Sequence, residues 1–293
     1  MLTFRPTPFW IALCAILMAA HSRVEAQEAV LFEDGLISTA DRGEAFPFFA
    51  PDGTQLFFST HNSEWSFHTL YVTSRESDSW TEAELLPFSG KYSDRAPRLS
   101  PDGRSLYFSS NRFLKGHPQG DYNIWVVRRA THGSWGEPEA LPETVNTPAH
   151  EYHAVITRKG ELFFSRVTDP ERDAHDIFVS VRGEGGFSEA VKVGPPISDG
   201  HSQPDIFVAP DGDFMILVIT DGPQSHGGDD LYVSYRHDGD WTVPMNLGPR
   251  VNTEGYDYGP SVSPDGRLLM YTRHDRGLGD IYAVLVEDLD LDI

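Results

Sequence analysis

The chain of 293 residues carries 44 acidic against 23 basic side chains, a formal charge of −21, and a single cysteine. That balance argues against nucleic acid, whose phosphates demand clustered Lys and Arg, and against anionic membrane surfaces. One cysteine leaves no disulfide framework, and the length is ample for one large all-β domain.

Residues 1–26 read as a signal peptide. Arg5 supplies a basic n-region, Phe9 to Ala20 an apolar run, and Val24-Glu25-Ala26 small residues at the minus-three and minus-one positions of a cleavage site. The run is short for a membrane span; an uncleaved anchor is the alternative. Leu13 before Cys14 is not the small residue that lipidation needs. Cleavage leaves a mature chain, 27–293, without cysteine and without a transmembrane segment, with 21 basic and 43 acidic residues. Export without cystines suits a bacterial periplasm or a secreted protein.

The mature chain opens on Glu28-Ala29-Val30-Leu31-Phe32, which reads like Glu189-Ala190-Val191-Lys192-Val193 much further on. A motif then recurs five times. Ala50-Pro51-Asp52-Gly53 precedes Leu56-Phe57-Phe58-Ser59, and Ser100-Pro101-Asp102-Gly103 precedes Leu106-Tyr107-Phe108-Ser109. Pro210-Asp211-Gly212 and Pro264-Asp265-Gly266 precede similar runs, and Arg158-Lys159-Gly160 is a degraded copy. The turns start at 51, 101, 158, 210 and 264, a period that means one small sheet per repeat. Pro presets the first corner, Asp bonds back to the backbone, and Gly takes the positive φ. The run after the turn is apolar on consecutive residues, as a strand buried on both faces must be. A third strand (Ile124-Trp125-Val126-Val127 is typical) and a fourth opening on Trp80, Trp135, Phe187 or Trp241 complete each unit. Those tryptophans are assigned to packing between repeats, because they recur at one register. The last repeat lacks its fourth strand. The segment at 28–32 should supply it and remove the open edge. The expectation is an all-β fold: one five-bladed β-propeller of four-stranded antiparallel blades over 27–293, closed by the N-terminal strand completing the last blade.

The stretch Ser100-Pro-Asp-Gly-Arg-Ser-Leu-Tyr-Phe-Ser-Ser-Asn-Arg112 resembles the WD40-like PD40 repeat of TolB-like propellers, and Trp135-Gly136-Glu137-Pro138 with Leu141 to Thr147 is similar to versions in exported bacterial proteins. The resemblance covers nearly the whole mature chain and implies the fold. It implies no activity, since propellers host many. TolB has six blades and an additional N-terminal domain; five copies here do not suggest its envelope role.

Seven residues before each turn stand Glu44, Asp94, Glu151, Gln203 and Asp257. This register begins the innermost strand of each blade, at the channel mouth opposite the Pro-Asp-Gly turns. Arg95, His153 and His201 flank it, and loops at that face bring His61, Arg166, Arg273 and His274. Two readings stand. Such carboxylates brace blade against blade through backbone amides, or they hold a ligand or a divalent cation, with His61, His153, His201 and His274 as candidate metal ligands. The functional expectation is a non-catalytic binding propeller whose mouth takes a protein, peptide, glycan or cation. The alternative is a carbohydrate-active enzyme, a glycoside hydrolase or a lyase, using the same carboxylates.

Overall fold

The computed structural model describes residues 28–293 except 78, 275, 276 and 290. The predicted signal peptide lies outside the described residues. The structure is nearly all β, with no α-helix among those residues and one 3-10 turn at Val286–Asp288. No described helix is long and apolar enough to cross a membrane.

Five antiparallel units follow one another. Repeat 1 pairs Gly43–Phe49, Gln55–His61, His68–Glu76 and Glu84–Leu85 in that order. Repeat 2 pairs Asp94–Leu99, Ser105–Ser110, Asn123–Arg128 and Glu139–Ala140. Repeat 3 runs Glu151–Ile156, Glu161–Asp169, Ala174–Gly183 and Val191–Lys192. Repeat 4 runs Ile206–Val208, Phe214–Thr220, Asp229–His237 and Met245–Asn246. Repeat 5 has Tyr256–Val262, Leu268–His274 and Asp280–Leu285 from its own stretch of chain. Its fourth strand is Val30–Leu31, paired antiparallel with Ala283 and Tyr282. The innermost strands touch in cyclic order, repeat 5 against repeat 1 included.

The turns account for the hairpins. Gly53, Gly103, Gly212 and Gly266 all sit at positive φ, and each donates its N–H to the carbonyl three residues back. The second strands are the core: Leu56, Phe57 and Phe58 are fully buried, as are Met215, Ile216 and Leu217. Each such side chain contributes about 1.5–3 kcal/mol by leaving water. Trp135 lies edge-on to Phe57 of repeat 1, and Trp241 edge-on to Phe163 of repeat 3. Each tryptophan thus packs on the repeat before its own, as expected from the shared register.

Two features differ from five independent sheets. Repeats 4 and 5 are joined by a single parallel bridge between Asp229 and Tyr256. Glycine permits this: a Cβ on Gly227 would sit 2.2 Å from the Gly255 carbonyl oxygen. The innermost strands also carry bulges, with Phe46, Ala96, His153 and Gly259 in the left-handed region. Each bulged N–H is received by a side-chain oxygen of the preceding repeat: Thr272 for Phe46, Ser59 for Ala96, Ser109 for His153 and Asp205 for Gly259. Three of these acceptors are hydroxyls at one register of the second strand. Repeat 4 has Val218 there, and Asp205, just before its innermost strand, does the task instead.

Candidate functional site

The register of Glu44, Asp94, Glu151 and Asp257 is fully buried, and every carboxylate in it is bound within its own repeat. Thr147 donates to Glu151 through its N–H at 3.1 Å and its hydroxyl at 2.6 Å, and Arg166 Nε donates at 2.8 Å. Arg166 also donates to the Val145 carbonyl. Repeat 5 copies this with Thr253, Arg273 and the Val251 carbonyl around Asp257. Repeat 1 uses Thr39 and Arg42 on Glu44; repeat 2 uses Ser89 and Arg112 on Asp94. In repeat 4, Gln203 donates to the His201 carbonyl instead. Burial pushes all four carboxyls up, Glu151 to about 7, against the pull of these donors. Each one ties the loop leading into the innermost strand to the strand itself. The amides come from that same loop and not from the neighbouring repeat.

The side chains that do meet at the end where the innermost strands begin are different ones. His153 and Asp205 form a buried pair, Nε2 to Oδ1 at 2.6 Å. Burial alone would raise Asp205, but His153, Arg95 and Arg98 outweigh it and hold the carboxyl below its usual range. Burial lowers His153 more than Asp205 raises it. The pair is therefore a neutral imidazole donating from Nε2 to an ionised carboxylate, and Nδ1 is left as a bare acceptor. His61 keeps its Nδ1 proton on the Asn62 carbonyl, 2.9 Å away, and Nε2 is again a bare acceptor. His68 is pushed down to about 2 by burial, with Arg95, His61 and His153 adding to the effect.

Buried polar atoms normally find partners. Here His61 Nε2, both His68 nitrogens, Arg95 Nε, His153 Nδ1, His175 Nδ1 and the Tyr258 hydroxyl have none. They come from four different repeats. Aromatic faces surround them: Trp65 stacks on His61 at 3.6 Å and reaches Tyr258 and His274, and Tyr152 lies against both His153 and His175. Asp229, held by the Thr220 hydroxyl at 2.6 Å, is raised to about 6 by burial, with Asp205, Asp221 and Asp230 adding to the shift. Tyr258 lies within electrostatic reach of Asp205, Asp229 and Arg95.

Beneath this cluster lies Arg98, which is 1 % exposed. Its guanidinium donates to the carbonyls of Phe46, Pro47, Pro97 and Pro260, from repeats 1, 2 and 5, and lies over Phe48. Beyond it, on the side of the Pro-Asp-Gly turns, is an apolar cavity of about 410 Å³ lined by Phe48, Leu99, Val155, Phe207, Val262 and Ile293.

Of the residues singled out from sequence, His61, Arg95 and His153 belong to the cluster. Glu44, Asp94, Glu151, Gln203, Asp257, Arg166 and Arg273 are bound up in the loop braces. The four histidines proposed as metal ligands do not gather. His61 and His274 both contact Trp65, His61 bonds the Asn62 carbonyl and His274 the Gly277 carbonyl, His153 is spent on Asp205, and His201 contributes its carbonyl to Gln203. Among the described residues no three His, Cys, Asp or Glu side chains are placed to hold a metal ion. Sequence reasoning missed His68, Trp65, Tyr152, His175, Asp205, Asp229 and Tyr258. A signal for some of them existed. Counting five and six residues back from each turn, instead of seven, gives Arg95, Tyr152, His153, Asp205 and Tyr258 among otherwise small or apolar residues.

No family model matches the chain, and no curated protein matches it. Solved structures do match, as β-propellers. One titled a glycoside hydrolase is 10 % identical, with a TM-score of 0.62 over 89 % of this chain and 91 % of that one. The native arabinanase of Bacillus subtilis is 11 % identical, with a TM-score of 0.54 over 85 % and 95 %. A TolB-type protein of Agrobacterium tumefaciens is 16 % identical, with a TM-score of 0.51 over 80 % and 71 %. The fold is a β-propeller. At these identities the likeness carries the fold alone.

Proposed function

We propose that this chain is an exported five-bladed propeller, its ring closed by Val30–Leu31, that binds a glycan at the end of the axis where His61, His68, Arg95, His153 and Tyr258 converge. The observation that carries this reading is the set of buried donors and acceptors left without partners between aromatic faces. Neutral imidazole acceptors and a phenol suit the hydroxyls of a sugar, and flat rings suit its C–H faces. A cation has little to recommend it there, because the carboxylates of the repeated register are already bound. The test is thermal melting of the mature protein against a glycan panel and a set of divalent cations. A glycan at saturating concentration should raise the melting temperature by several degrees, and the cations should not. A shift with cations alone would overturn the reading.

One observation favours a second reading, a glycoside hydrolase, as one of the similar structures is. Asp205 is held ionised while Asp229 keeps its proton up to about 6, and carboxyls driven apart in this way can divide into base or nucleophile and acid. The roles expected of Glu44, Asp94, Glu151 and Asp257 would pass to these two. Release of reducing ends by the native protein, lost in Asp229→Asn, would establish it. Binding without release would leave the chain a binder.

A further inference from the structure

We propose that the glycan is acidic, a polysaccharide carrying uronate carboxylates, and that Arg95 is the residue that selects it. This rests on the reading of that end as a glycan site and adds the charge of the ligand to it.

Among the described residues of the cluster Arg95 is the one that stays cationic, since His61, His68, His153 and His175 are all pushed below their ordinary values, by burial first. Among the described residues no carboxylate lies within ion-pair distance of it, while Arg42, Arg112, Arg166 and Arg273 each have one. Two phenol rings instead lie against its guanidinium on adjoining sides, 3.9 Å from the Tyr152 centroid and 4.7 Å from that of Tyr122, with the two rings 5.3 Å apart. Tyr122 is fixed in turn by its hydroxyl on Ser93 at 2.7 Å. Stacking orients a planar fork of donors without consuming them, and its Nε is buried with no acceptor. The Asp205 carboxylate is close enough for Arg95 to hold it ionised, but it does not bond this fork, since His153 and the Gly259 N–H take its oxygens. A guanidinium held this way is a receptor for a planar carboxylate, and the neutral acceptors around it receive hydroxyls. With a net charge of −21 the protein cannot attract an anion from afar. Selection must act at contact, inside the screening length of about 10 Å.

The test is calorimetric titration at physiological salt with a short galacturonate oligomer and with the same oligomer fully methyl-esterified, which keeps the rings and removes the charge. The native protein should bind the acid form about tenfold to a hundredfold tighter than the ester, the range of one charge-assisted hydrogen-bonded pair. Arg95→Gln should abolish that preference, the acid form binding no tighter than the ester, and Arg95→Lys should retain part of it. Melting curves of both variants confirm that they fold. Equal binding of acid and ester by the native protein, or a preference that survives Arg95→Gln, would overturn the role of Arg95 and leave the glycan site standing. Absence of binding by both forms, or binding only of peptides ending in a free carboxylate, would overturn both.

Discussion

Two arginines three residues apart on one strand mark the two ends of the axis. The bulge at Ala96 inserts an extra residue between them, so Arg95 and Arg98 face the same side despite their odd separation. Arg98 is surrounded by carbonyls from three repeats, and burial lowers it to about 10, a fall that Asp205 partly offsets. Arg95 has only ring faces and no acceptor. Both leave Nε unpartnered, but the terminal nitrogens of Arg98 are spent on carbonyls inside the chain, and those of Arg95 are the donors proposed to meet a ligand. The same contrast separates the ends. One gathers buried polar atoms without partners, and the other, past Arg98, is a cavity with an apolar floor of Phe48, Leu99, Val155 and Phe207 and a charged rim of Arg158, Asp211 and Asp213.

Substitutions sharpen this contrast. The largest effect is expected at Arg98→Ala, which strands four carbonyls and leaves a void: a loss of about 3–5 kcal/mol in chemical denaturation. If Arg98→Ala melts like the native protein, the axis is not held by this residue. Next come the braces. Glu151→Ala leaves Arg166 buried beside an empty position and should cost about 2–4 kcal/mol, with ligand affinity unchanged in whatever fraction stays folded. The double variant Asp94→Asn with Glu151→Gln should likewise lose stability and keep binding; the opposite result would restore the repeated register as a binding ring.

A smaller effect is a change of slope. His68 stays neutral in the fold down to about 2, whereas an unfolded histidine charges near 6.5. Its contribution is complete above pH 6.5 and is lost as the pH falls below it, at about 1.4 kcal/mol per pH unit. His68→Gln should therefore flatten the decline of stability between pH 6 and pH 4 relative to the native protein. Parallel curves would mean that His68 gains a proton in the folded protein too. Smallest of all should be the stability cost of Arg95→Gln, below about 1 kcal/mol, because no ion pair is broken. A large cost would make Arg95 a second Arg98.

The scaffold was legible because it repeats. The Pro-Asp-Gly turns, the doubly buried second strands, the packing tryptophans and the pairing of Val30–Leu31 with the last repeat all follow from one period and from turn chemistry. The same logic explains why the sequence drew attention to the repeated register. Glu44, Asp94, Glu151 and Asp257 attracted notice because they recur, and they recur because every repeat must anchor its lead-in loop. The cluster is built from registers that vary: Arg95, Tyr152, His153, Asp205 and Tyr258 stand where other repeats carry Ala45, Phe46, Ala96, Pro204 or Gly259. The bulges that aim these residues inward place Phe46, Ala96 and His153 at positive φ, which no local signal announces for such side chains. Trp65 lies in a loop closed locally by Asn62 on Ser66 and Phe67, and His68 begins the strand after it; no spacing in the sequence encodes that this loop brings Trp65 onto Tyr258 and His274 of repeat 5.

The most direct measurement is the electron density of a crystal soaked with the galacturonate oligomer. Density is expected against Tyr152, with a carboxylate on Arg95 and hydroxyls at His61 and His153. Density confined to the apolar cavity beside Phe48 and Phe207, or a sugar gripped by the repeated register of Glu44 and Glu151, would contradict the assignment of that end as the binding face.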